Sequence, residues 1–117
     1  MAIDTIFEDS WKVVLSQFEK KFGPELDMQA ILFLIGVQEL GKGPMKFAKD
    51  EKLELMHIAI CTLLIPFGYY EIEGEDKDGW PHYKSLKPLP SLAGGEQLKL
   101  MKQSVIEYYE KHQDLFN

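Results

Sequence analysis

Tyr69-Tyr70-Glu71-Ile72-Glu73, then Gly74-Glu75-Asp76-Lys77-Asp78-Gly79, then Trp80-Pro81-His82-Tyr83-Lys84-Ser85-Leu86, is the stretch that decides the fold. Before Pro66 the apolar residues recur at helical intervals; here they alternate with polar ones, which is the period of a half-buried strand. The Gly- and Asp-rich segment between the two alternating runs has the composition of a turn, so the spacing predicts a β-hairpin over about 69–86. Pro81 has no backbone N–H and confines the second strand to an edge or irregular position. Two strands alone are marginal in water, so the hairpin must lean on helices.

Working toward the N-terminus, Asp50 reads as the N-cap of a helix running through Leu53, Met56, His57, Ile60, Cys61 and Leu64 to Pro66. Gly41-Lys42-Gly43-Pro44 separates it from the most apolar segment, about Glu25 to Leu40. There Ile31 to Leu34 and Ile35 are consecutive, so apolar residues surround the helix axis and predict a central, buried helix. Thr5 and Glu8 have capping-box spacing, and Phe7, Trp11, Val14, Phe18 and Phe22 follow at helical intervals until Gly23-Pro24. On the other side of the hairpin, Pro88 and Pro90 form a stiff linker. A last helix, opening at about Leu92 or Glu96, carries Leu98, Met101, Val105, Tyr108, His112 and Leu115 as an a/d seam. The expected fold is α+β and mainly helical, with three N-terminal helices, one β-hairpin and one C-terminal helix in a single domain over 1–117.

The 117 residues include 13 lysines, no arginine and 19 acidic residues, giving a net charge of −6. An acidic surface opposes phosphate neutralisation, and the missing arginine removes the bidentate reader of phosphate and guanine, so nucleic acid is a poor partner. The longest apolar run, Ala30 to Val37, is too short to span a bilayer, and Met1 to Ser10 lacks the basic and apolar regions of a signal peptide. One cysteine, Cys61, forms no internal disulfide and fits a reducing compartment, so the expected location is cytoplasmic.

Few residues have the spacing of reactive chemistry. Glu54 and His57 are related as Glu-x-x-His, which puts a carboxylate and an imidazole on one helix face, but di-iron bundles use that motif twice and here it occurs once. A single divalent metal held by His57, Glu54, Glu39 and His82, with Cys61 as a further candidate ligand, is chemically permissible for zinc. The structural alternative is a buried His57 beside an inert Cys61 thiol. Reading Gly74 to Gly79 as a calcium loop fails on register, because Gly79 at the sixth position puts Gly74 and Ser85 where carboxylates are needed. Gly41-Lys42-Gly43 lacks the Walker spacing, and no serine has the Gly-x-Ser-x-Gly setting of a nucleophile elbow.

The densest unusual chemistry is aromatic. Phe67, Tyr69, Tyr70, Trp80, His82 and Tyr83 gather on the hairpin, and Tyr and Trp join large apolar area to a polar handle. Alternation puts Trp80, His82 and Leu86 on one face and Pro81 and Tyr83 on the other; one set packs on the helices and the remainder faces outward. The C-terminal seam likewise covers either the chain's own core or a second copy. In the second case facing His112 imidazoles repel once protonated and weaken the dimer below about pH 6.5.

Ile35-Gly36-Val37-Gln38-Glu39-Leu40-Gly41, Leu55-Met56-His57-Ile58-Ala59-Ile60-Cys61 and Asp78-Gly79-Trp80-Pro81-His82-Tyr83 resemble segments of uncharacterised small bacterial proteins. The resemblance covers roughly the middle of the chain, transfers no catalytic residue or ligand, and implies a bacterial cytoplasmic setting. The expected function is a non-enzymatic protein–protein interaction module, a homodimer or a small subunit of an assembly, with no cofactor. Tyr69, Trp80 and Tyr83 are its expected anchors, and Glu73, Glu75, Asp76 and Asp78 its polar rim. The alternatives are the metal-binding protein or metal-dependent enzyme built on His57, and an apolar small-molecule carrier lined by the central helix.

Overall fold

A computed structural model of the chain describes residues 2–41, 46–90 and 95–116. Its elements are α1 (Ala2–Phe22), α2 (Met28–Leu40), α3 (Lys49–Leu64), β1 (Tyr70–Glu75), β2 (Pro81–Ser85) and α4 (Glu96–Lys111), followed by a short 3-10 turn, Gln113–Phe116. The fold is mainly helical α+β, with three helices before an antiparallel hairpin and one after it. Packing divides the chain into two compact units, one formed by 1–26 with 90–117 and the other by 27–89. The seams fall beside Gly23-Pro24 and between Pro88 and Pro90. No helix among the described residues is long and apolar enough to cross a membrane.

In the first unit α1 packs on α4. Trp11, Val14 and Phe18 recur at three and four residues on α1 and are buried, as are Met101, Val105 and Tyr108 on α4. Lys99 and Lys102 lay their ammonium groups over the rings of Phe7 and Trp11, at 5.5 and 5.6 Å from the centroids. The helix starts before Thr5, which lies inside α1 rather than capping it; residues three apart share a face throughout a helix, so a Thr-Glu pair is not confined to a first turn. Leu98 leaves the expected seam and is 50% exposed. His112 does not continue α4 but ends it. Its amide and its Nδ1–H both donate to the Tyr108 carbonyl, at 3.0 and 2.8 Å, and its ring stacks on that of Tyr108 at 4.0 Å.

In the second unit α2 lies against α3. The start of α2 is at Met28 rather than Glu25, because the Asp27 carboxylate accepts the Ala30 amide at 2.8 Å and makes Asp27 the N-cap. Its buried face is Ile31, Leu32, Ile35 and Gly36, while Phe33 and Leu34 are only half-buried, so the all-round apolar pattern is not an all-round burial. Gly36 permits close approach: a Cβ there would lie 2.7 Å from the Leu55 carbonyl carbon on α3. Gly41, left-handed at φ 72°, stops α2; Lys42 to Pro44, like Leu92, lie outside the described residues.

Helix α3 is capped at Ala48 rather than Asp50, since Glu51 in the first turn reaches back to accept the Ala48 amide at 2.9 Å. Leu55, Ile58, Ala59, Cys61, Leu63 and Leu64 are its buried residues. The chain then turns through Pro66 and enters β1, which runs two residues further than its alternation suggests and leaves a tighter tip. Pairing is Tyr70 with Ser85, Glu71 with Lys84 and Ile72 with Tyr83, then slips so that Gly74 faces His82. This bulge leaves Glu73 as the extra residue, and Gly74 beside it has φ 141°, a conformation that glycine adopts without strain.

Candidate functional site

The hairpin tip is organised by one side chain. Asp76 Oδ1 accepts the amides of Asp78 and Trp80 at 2.9 and 3.0 Å, and Oδ2 meets His82 Nε2 at 3.0 Å. Two backbone bonds close the same turn, Asp76 N–H to the Trp80 carbonyl at 2.9 Å and Gly79 N–H to the Asp76 carbonyl at 3.0 Å. Donors aimed at a carboxylate favour its charged form, and the hydrogen bond from His82, followed by that from Trp80, holds Asp76 below the usual carboxylate range. The Asp-rich turn composition therefore has a specific use: one aspartate spans the tip and fixes where Trp80 leaves it.

The base of the hairpin is tied to α3. Tyr83 Oη and Thr62 Oγ1 share a 2.8 Å hydrogen bond. Burial is the largest influence on the Tyr83 phenol and pushes its pKa up; the bond to Thr62 opposes it, while the fields of Cys61 and Glu39 add to it. Tyr70 on β1 meets the His57 ring edge-on at a centroid distance of 6.4 Å. On β2, Tyr83 is thus turned to the helix, whereas His82 is 61% exposed and Leu86, just beyond the strand, is exposed too.

Between α3 and the hairpin lies a cleft of about 120 Å³ lined by Glu54, His57, Ile58, Asp76, Trp80, Pro81, His82 and Tyr83. It unites three of the expected partner-binding residues, Asp76, Trp80 and Tyr83, with three from the metal alternative, Glu54, His57 and His82. Of the rest, Glu73, Glu75 and Asp78 are exposed on the hairpin outside the cleft. Tyr69 is half-buried beneath the Lys87 ammonium, 4.3 Å above its ring centroid. Glu39, on α2, does not line the cleft; its field adds to the upward shift of the Tyr83 phenol.

Glu54, His57 and His82 share a lining without forming a ligand set: among the described residues no group of three or more His, Cys, Asp or Glu is arranged to hold a metal ion. His57 Nε2 is 3.4 Å from Cys61 Sγ, and His82 Nε2 is directed to Asp76. Cys61 is fully buried, and desolvation pushes its thiol up to about 11, which keeps it protonated and unreactive at neutral pH. His57 itself is exposed rather than buried and lines the cleft from α3.

Thr62 is the site residue that sequence reasoning missed. Its signal was present, since it is the one hydroxyl-bearing residue in the apolar run Ile58 to Leu64, where an unpaired polar group is costly. Comparison of the chain with models of known families, with curated proteins and with solved structures finds no match.

Proposed function

We propose that this chain is a non-enzymatic protein-interaction module that binds a protein partner through its hairpin, in the cytoplasm of a bacterial cell. The observation that carries this reading is the Asp76 network. It fixes the backbone at Trp80, which lines a small cleft, while Glu73, Glu75 and Asp78 are exposed on the same hairpin. A surface ordered before binding loses less entropy on association, and a Trp ringed by polar residues is a common centre of binding energy. The charge of −6 favours a protein partner over nucleic acid. The protonated, enclosed Cys61 supplies no activated nucleophile.

A photo-crosslinking amino acid placed at Glu75, and at Lys12 as a control in the other unit, tests the reading in living cells. The module reading expects a discrete protein adduct from position 75 that disappears with Trp80→Ala, and none from position 12. Absence of an adduct at 75, or the same adducts from both positions, overturns it.

A further inference from the structure

The cleft beside Trp80 narrows the chemistry of the partner. Its volume of about 120 Å³ lies well below the ~300 Å³ at which pockets for whole small molecules begin. One side chain fits this space. The walls supply two carboxylates, Glu54 from α3 and Asp76 from the turn, two imidazoles, His57 and His82, the second directed to Asp76, and Ile58, Pro81 and the rings of Trp80 and Tyr83 as apolar surface. Asp76 is held in its charged form by His82 and by the turn amides.

The hairpin that forms one wall of the cleft is acidic. From Tyr70 to Ser85 the hairpin carries five carboxylates, Glu71, Glu73, Glu75, Asp76 and Asp78, against Lys77 and Lys84. Neither lysine lines the cleft. Carboxylates beside an aromatic face suit a group with a cationic head and an aliphatic stem: the head gains from charge and from the ring quadrupole, and the stem covers apolar wall. Lysine and arginine are the protein side chains with that construction.

Resting on the interaction reading above, we propose that the cleft is a socket for one lysine or arginine side chain of the protein partner, with Glu54 and Asp76 supplying charge and Trp80 the aromatic wall. It gives α3 a binding role through Glu54. Glu54 is exposed on α3 and glutamine has the same length and a similar helix propensity, so Glu54→Gln removes the charge and keeps the helix.

Panning a random displayed-peptide library on the intact protein, followed by affinity measurements on Glu54→Gln and Trp80→Ala, tests the socket. Expected are peptides sharing a lysine or arginine whose replacement by glutamine abolishes binding. Glu54→Gln should weaken them about fivefold, as for a partly exposed charge pair, and added salt should weaken binding to the wild type more than to the variant. Peptides that need Trp80 but no cation overturn the socket and leave the interaction module standing. Peptides recovered equally well by a Trp80→Ala chain overturn both.

Discussion

Tyr83 on β2 and Thr62 on α3 share a 2.8 Å hydroxyl–hydroxyl bond, a polar tie between the hairpin and the helix beneath it. A two-stranded sheet is not stable alone, so this bond belongs to what makes the hairpin a fixed surface. Tyr83→Phe and Thr62→Val are each expected to cost about 1 kcal/mol. Denaturant unfolding should show a lower midpoint at unchanged slope. The double variant should cost less than the two single costs combined, and strict additivity in that cycle would remove the bond from the account.

Asp76 links acidity to hairpin order. Its folded pKa lies below the ordinary 3.8, so its contribution is present above the unfolded value and is lost as pH falls through the depressed folded one. NMR titration of the Asp76 carboxyl should give a midpoint below 3.8. Asp76→Asn should speed amide exchange at Asp78 and Trp80 at neutral pH, because the substituted amide meets the same donors more weakly. A titration at the ordinary value with unchanged exchange would mean that the turn holds without it.

Cys61 should resist thiol reagents. With its pKa pushed from 9.0 to about 11 by burial, the thiolate is scarce at pH 8, and the protonated form is the one the fold prefers. Its contribution to stability is therefore full below 9.0 and is lost as pH rises through about 11. Labelling at pH 8 should be slow in the native protein and fast in urea. Equal rates in both would place the thiol at the surface.

Gly36 should tolerate no side chain. The built Cβ meets the backbone of Leu55, which cannot rotate away as a side chain would, so Gly36→Ala must push α2 from α3. About 1–3 kcal/mol of destabilisation is expected from such overpacking, visible as a lower thermal midpoint. A neutral or higher midpoint would show that the two helices separate at no cost.

Several features of this architecture are legible in the residues themselves. The change of period after Pro66 locates the hairpin, and the spacing of Trp11, Val14 and Phe18 identifies the buried face of α1, because periodicity directly encodes which side meets the core. Boundaries are less legible. Asp27 and Ala48 rather than Glu25 and Asp50 open α2 and α3 through local hydrogen bonds to single amides, for which several neighbouring residues compete. The hairpin's extra residue at Glu73 depends on a register slip that no alternation pattern contains.

The site was readable as a set of residue types but not as a geometry. Residue types put Trp80, Asp76 and Tyr83 in a partner-binding reading and His57, Glu54 and His82 in a metal alternative; the fold makes all six line the same cleft. Their meeting depends on how the hairpin lies over α3, a long-range contact fixed by Thr62 and Tyr83. The sequence separation of that pair exceeds any local pattern.

The most direct measurement is the affinity of the protein and of its Trp80→Ala variant for one and the same peptide recovered by panning, by calorimetry at neutral pH. Amide exchange of β1 and β2 confirms that the variant keeps its hairpin. A central aromatic anchor predicts a loss of about 2 kcal/mol or more, roughly thirtyfold. Affinities within about twofold of each other, with the hairpin intact, would contradict the assignment of partner binding to this surface.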